Sequence, residues 1–216
     1  MVFGTANIAN PQINAPLPPG FFDNFPSFFQ DMRFTQTGAF AQGLLRPFSG
    51  TTLMAALRGN WITQEAEAAF TGGVGNVQRL NQSRLTPQVG LSQRLMEGLN
   101  VYASYSESIQ PNFAITRDGS LLDPMTGQMV EVGSKWEPLG GRMRLTAALF
   151  RMELDNVASA DPAFPPNSGI SIGGQSQRNQ GFEFEARGAL LPQLQVSLAY
   201  TFLDKPNSRR ARFPSS

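Results

Sequence analysis

The sequence of 216 residues holds no cysteine and no histidine. Without Cys there are no disulfides, no thiolate nucleophile and no Cys-based zinc framework. Without His the Ser-His-Asp and Cys-His arrangements, as usually built, are excluded. An enzyme would have to work with carboxylates, Lys or Tyr alone. No run approaches the ~18 apolar residues of a membrane helix, and mean hydropathy is −0.21. A membrane β-barrel stays open, because its strands dilute apolar residues with polar ones. Charged residues make up 15% and the net charge is +1, which gives no reason to expect nucleic acid as a partner. The start, MVFGTANIANPQ, lacks a basic stretch followed by a long apolar core, so no signal peptide is expected. Either the protein is cytosolic or this chain begins in the middle of a longer one.

What the sequence does contain is alternation. In Leu99–Pro111, Leu99, Val101, Ala103 and Tyr105 share one parity, and Asn100, Tyr102, Ser104 and Ser106 the other. A period of two marks a strand with one apolar and one polar face. Pro111, which cannot donate to a ladder, ends it. The 17 Phe and 21 Gly suit a sheet with many turns.

The same unit recurs. Strands are expected at about Phe34–Arg46, Thr52–Thr63, Arg84–Leu95, Leu99 onward, Val130–Glu137, Arg142–Leu154, a segment ending near Leu190, and Leu194–Phe202. In the second, Leu53, Ala55, Leu57 and Trp61 oppose Arg58 and Asn60; in the seventh, Phe182, Phe184 and Ala186 oppose Glu183, Glu185 and Arg187. Tight turns are expected at Pro47–Gly50, Met96–Gly98, Leu139–Gly141 and Leu191–Gln193. Long loops are expected at Gln64–Ser83, Glu107–Gly127 and Ala158–Gly169. Strictly alternating short and long connections, with alternation held for about 9–11 residues, fit a transmembrane β-barrel better than a soluble sandwich. The expected organisation is a Pro/Phe-rich loop over 1–33, barrel strands over 34–204 and a disordered basic tail over 205–216.

Several sharper motifs give way to plainer readings. Gly72-Gly73-Val74-Gly75 lacks the Lys-Ser or Lys-Thr of a phosphate loop and reads as flexible loop. Asp123-Pro124-Met125-Thr126-Gly127 lacks the spaced carboxylates of a Ca²⁺ site and reads as a turn. Glu183 and Glu185, about 6–7 Å apart on one strand face, could be an acid/base pair, but carboxylates on a water-filled wall account for them equally well. Trp61, Trp136, Tyr102 and Tyr105 read as girdle or wall residues. The Arg-Arg-Ala-Arg run, Arg209 to Arg212, reads as a solvated tail.

With these residues in view, the chain resembles the barrels of TonB-dependent siderophore receptors. YASYSESIQP (Tyr102–Pro111) is similar to that family's strand-and-loop motif. LDPMTGQMVEVGSKWE (Leu122–Glu137) resembles its LDP-x-TG segment leading into an E-x-G-x-K strand. LTAALFRMELDNVASADP (Leu145–Pro162) and RNQGFEFE (Arg178–Glu185) follow in the family's order, with QTGAFAQ (Gln36–Gln42) and LTPQVGLSQRL (Leu85–Leu95) upstream. The resemblance covers roughly residues 11–204.

It implies an all-β fold: an antiparallel up-and-down transmembrane β-barrel segment of about eight strands, part of a larger barrel of about 22 with a plugged lumen. It implies a place in the outer membrane of a Gram-negative bacterium and uptake of ferric siderophores as cargo. The partners implied are outer-membrane lipid, the ferric siderophore, and the TonB complex reached through a plug region absent from this chain. No resident cofactor, metal site or catalytic residue is expected. Arg58, Arg94, Glu131, Lys135, Glu183, Glu185 and Arg187 are the expected lumen-facing residues. Signal peptide, energy-coupling box, plug and terminal aromatic strand are missing from the pattern, so a fragment from the middle of the barrel is expected. The alternatives are a self-contained eight-stranded barrel that anchors or adheres, and a soluble β-rich binding domain or carbohydrate enzyme.

Overall fold

The computed structural model describes residues 28–70, 76–164, 169–204 and 207–209. The loop assigned to 1–33 lies almost wholly outside these residues, as do Gly72 to Gly75. The described residues contain no helix. They form one antiparallel sheet whose eight main strands pair in chain order: β1 (Phe28–Leu45), β2 (Thr51–Phe70), β3 (Asn76–Met96), β4 (Leu99–Gln110), β5 (Met125–Trp136), β6 (Met143–Ala160), β7 (Ser171–Leu191) and β8 (Leu194–Leu203). A short β9 (Asn207–Arg209), inside the stretch expected as a tail, pairs with β7. β1 and β8 do not pair with each other, so among the described residues the sheet is open at both edges.

All four expected tight turns are present. At the one between β3 and β4, Gly98 has φ 74°, and a Cβ there would stand 2.8 Å from the Glu137 carbonyl, so only glycine fits. The expected long loops are shorter than the sequence suggests. Gln64–Ser83 is mostly ladder: β1, β2 and β3 stay paired out to Phe28↔Phe70 and Asn76↔Ala68. The other two shrink to the stretches between Gln110 and Met125 and between Ala160 and Ser171. The physical reason is visible in the side chains. Glu65 pairs with Arg79 and Thr63 with Asn81 on what is, lower down, the apolar face. Once the band side turns polar the apolar/polar period disappears although the hydrogen bonds continue.

The register sorts every strand onto two faces. On one face lie Leu53, Leu57 and Trp61 of β2, Leu85, Val89 and Leu91 of β3, and Val101, Ala103 and Tyr105 of β4. Val130, Val132 and Trp136 of β5 continue it, followed by Leu145 and Leu149, Phe182 and Phe184, and Leu198, Tyr200 and Phe202. Many of these side chains are exposed: Leu85 and Leu149 are each 62% exposed. In water such a surface would aggregate. The apolar stretch ends at one level on each strand, giving way to Thr63, Ser83, Glu107, Gln128, Arg151, Gln180 and Asp204. It spans roughly 7–9 residues per strand, or about 20 Å at ~3.3 Å per residue and ~40° tilt, close to the ~25 Å apolar band of a membrane barrel. β1 departs from the pattern. Its band side carries Ala39, Ala41 and Gly43, while Phe34, Phe40 and Leu44 share the opposite face with Arg58 and Asn60.

Near the top of the band the sheet forks. The β3–β4 ladder stops at Gln88↔Ser106, one residue short of Pro87, which has no N–H to give. Above it β1, β2 and β3 continue as a three-stranded wing, while β4 follows β5.

Candidate functional site

The face opposite the band is polar, and the ladder places Arg58, Arg94, Glu131, Lys135, Glu183, Glu185 and Arg187 together on it. Arg58 stands opposite Thr86, Arg94 opposite Asn100, Asn100 opposite Lys135, and Ser104 opposite Glu131. Lys135 faces Thr146, Thr146 faces Glu185, Ala148 faces Glu183, and Arg144 faces Arg187. The residues are brought to one face but not into one cluster; Glu183, Glu185 and Arg187 make no ion pair among the described residues.

Two local networks fix parts of this wall. Asn60, 3% exposed, accepts from Arg58 Nε at 2.8 Å and from Gln36 Nε2 at 3.3 Å, and donates to Thr86 Oγ1 at 3.1 Å. The Arg58 guanidinium thereby lies flat over Gly38, in space a side chain would fill. Further along, Tyr102 donates to Glu131 at 2.5 Å and lies across Gly133, with Lys135 Nζ 5.3 Å from its ring centre. Phe150 likewise lies against Gly181. Pairing a large side chain with glycine presses the large one onto the sheet.

At the end with the long connections, residues 111–124 form a strap that the sequence reading missed. Its Asn112 carbonyl accepts from Gln64 Nε2 on β2 at 2.8 Å, and Asp123 accepts from Gln82 Nε2 on β3 at 3.1 Å. Phe113 meets Phe34 of β1 edge-on, ring centres 5.6 Å apart. On the other side Asn112 Nδ2 donates to the Asn156 carbonyl at 2.9 Å, and Ser171 N donates to the Ile115 carbonyl at 2.8 Å. Arg117 pairs with the buried Asp161 at 3.1 Å. Asn156 sits at a bulge in β6 with φ 59°, a left-handed conformation Asn tolerates, and this turns its amide toward the Pro124 carbonyl. Thus Asp123-Pro124 is an anchored joint, more than the plain turn expected. The available signal was Phe113, Ile115, Leu121 and Leu122, apolar residues inside an otherwise polar loop; Ile115 is 4% exposed.

Just beyond the band, on the band face, Glu153 accepts from Arg151 and from Arg178 at 2.6 Å. Arg151 first, then Arg178, hold its carboxyl below the usual range. A shallow hollow of about 780 Å³ lies on the band face itself, lined by Leu45, Leu53, Val89, Leu91 and Tyr105 around the small Ala55 and Ala103. It has no convergent polar groups, so it is a gap for hydrocarbon and not a binding site. Among the described residues no cluster of three acidic, His or Cys side chains is placed to hold a metal.

Comparison with known proteins bears on this arrangement directly. The family model described as TonB dependent receptor-like, beta-barrel matches residues 3–215. The ferric-pyoverdine M114 receptor PbuA of Pseudomonas sp. (strain M114) is 33% identical over 177 residues, 80% of this chain and 21% of that protein. The ferrichrome outer membrane transporter/phage receptor of Escherichia coli K12 is 30% identical over 147 residues, 68% of this chain and 19% of that one. Among solved structures, the alcaligin outer membrane receptor FauA of Bordetella pertussis superposes with a TM-score of 0.64 at 28% identity, over 83% of this chain and 31% of that chain. The chain thus spans about a fifth of the length of the curated relatives it matches. An open sheet with an apolar band on one face and a polar wall on the other, matched along nearly its whole length, belongs to the TonB-dependent receptor β-barrel family of the Gram-negative outer membrane.

Proposed function

We propose that this chain is part of the wall and mouth of an outer-membrane receptor that takes up ferric siderophores. The observation that carries the reading is the division of one sheet into an apolar and a polar face along β2–β8. The band face meets lipid, and the face bearing Arg58, Arg94, Glu131, Lys135, Glu183, Glu185 and Arg187 lines a watery lumen. The strap and the ends of the long strands form the outer mouth, and the tight turns at Gly50, Gly98, Gly140 and Pro192 face the periplasm. The named relatives carry different chelates, pyoverdine, ferrichrome and alcaligin, so the shared cargo is the ferric chelate class. The iron chelate is cargo; the chain's part is to bind and pass it, with no catalytic step. Passage is coupled to the TonB complex through a plug, of which the described strands form no part.

The open edges of β1 and β8 speak against the self-contained small barrel. In hydrocarbon every unpaired backbone group costs several kcal/mol, so these edges need neighbouring strands. The test uses the whole receptor in a strain lacking its own siderophore receptors, supplied with radiolabelled ferric hydroxamate, catecholate and pyoverdine-type chelates. Accumulation of one class that stops when the proton-motive force is collapsed is expected. No accumulation of any class would contradict the proposal.

A further inference from the structure

The strap's two attachments are unequal. Toward β6 and β7 it is held by a backbone bond from Ser171 to Ile115, by a bridge from buried Ile115 to Ile170, and by the Arg117–Asp161 pair with Asp161 4% exposed. Toward the wing it has no ladder bond among the described residues; the Gln64 and Gln82 side-chain amides and the Phe34–Phe113 contact join it there. One of those amides is left incomplete: Gln64 is fully buried and its Oε1 has no partner among the described residues. A buried polar atom without a partner favours whatever state lets water reach it. The β3–β4 ladder also ends at Gln88, beside Pro87, and above it the Arg84–Glu107 ion pair at 3.2 Å ties the wing to β4 through side chains in place of backbone bonds.

We infer that the seam between the strap and the inner surface of β1–β3, latched by Gln64 and Gln82, is where the mouth opens to admit the ferric chelate. The strap stays with β6 and β7, and opening hydrates Gln64 Oε1. This rests on the receptor reading for what passes, but the seam can be tested without it.

Ile62, 2% exposed and directly opposite Gln82 in the ladder, reports the seam. In the whole receptor freed of other thiols, Ile62→Cys is labelled on intact cells with an impermeant maleimide. Labelling at least tenfold faster when Gln64→Ala and Gln82→Ala are added is expected; an unchanged rate would overturn the seam. A surface control, Arg79→Ala, leaves the rate unchanged. Separately, Gln82→Cys with Asp123→Cys is bridged by dibromobimane, whose fluorescence appears only when both thiols react. Bridged receptor is expected to lose at least tenfold in uptake relative to the unbridged double variant; equal uptake would overturn the gating role. If the unbridged receptor takes up no chelate at all, the receptor reading fails, while the labelling rates still decide the seam.

Discussion

The lower and upper halves of the same strands obey different rules. In the lower half, within the band, one face is apolar and every side chain's direction is fixed by its parity. Turning β7 over would send Glu183, Glu185 and Arg187 to the lipid side, at roughly 2–4 kcal/mol for an Arg at the midplane. In the upper half of β2 and β3 the band side meets water, and Glu65, Arg79, Thr63 and Asn81 occupy positions that Leu and Trp hold below, while Ile62, Gln64 and Ala66 on the other side are buried. The ladder runs unbroken through both. Pairing therefore continues where amphipathicity stops: hydrogen bonds set how far a strand extends, and the surrounding solvent sets its pattern.

The largest expected effect follows from the edges. The lower half of β1 and β8 would each present unpaired backbone groups to hydrocarbon, roughly ten on the two edges combined, at several kcal/mol each. That exceeds the ~5–15 kcal/mol of an ordinary domain. Residues 1–216 expressed alone should give no ferric-chelate uptake above an empty vector. Uptake by this piece would mean that it closes into a working transporter and that the open sheet is wrong.

A smaller effect separates glycines within the band. A Cβ on Gly133 would stand 2.6 Å from the Tyr102 hydroxyl and 2.7 Å from the Ala147 carbonyl, whereas one on Gly43 meets nothing within 4 Å. Gly133→Ala should cost about 1–3 kcal/mol, in line with overpacking elsewhere, and Gly43→Ala close to nothing. Unfolding of the whole receptor in detergent measures both, and similar costs would show that the flattened wall is unimportant.

How much of this was legible in the sequence follows the same division. The strands inside the band, the tight turns and the shared face of the seven charged residues could be read from Leu53 to Phe202, because lipid imposes a period of two. The upper ladder could not, because Glu65 facing Arg79 leaves no alternation to read. Nor could the strap: its anchors, Gln64 to Asn112 and Arg117 to Asp161, join residues 48 and 44 apart. Gln64 looks like an ordinary loop residue until β2 is known to continue past it. The inward placing of Phe34 and Phe40 was hidden too, since Ala39 and Ala41 on the band side are nearly as compatible with lipid.

The smallest expected effect lies in the strap. Asp118 accepts from Thr116 and, at 2.8 Å, from Ser120, and these bonds, Thr116's first, hold its carboxyl below the usual range. A carboxyl depressed in the folded chain adds stability above the unfolded value of ~3.9, lost as pH falls through the folded value. Amide exchange at Gly119 and Ser120 should therefore be steady from pH 8 to 5, after correction for intrinsic rates, and quicken only below about pH 4. Asp118→Asn should remove that acid limb. Quickening near neutral pH would contradict the assignment.

The central claim, that one face meets lipid and the other water, is tested most directly by two adjacent residues at one depth. Leu198 lies on the band face opposite Ala186, and Ala199 on the polar face opposite Glu185. Each is replaced by Arg in the whole receptor, and the free energy of unfolding from lipid bilayers is measured. Leu198→Arg should cost roughly 2–4 kcal/mol if it sits near the midplane, and Ala199→Arg, beside a carboxylate in water, close to zero. Equal losses at the two positions would contradict the account.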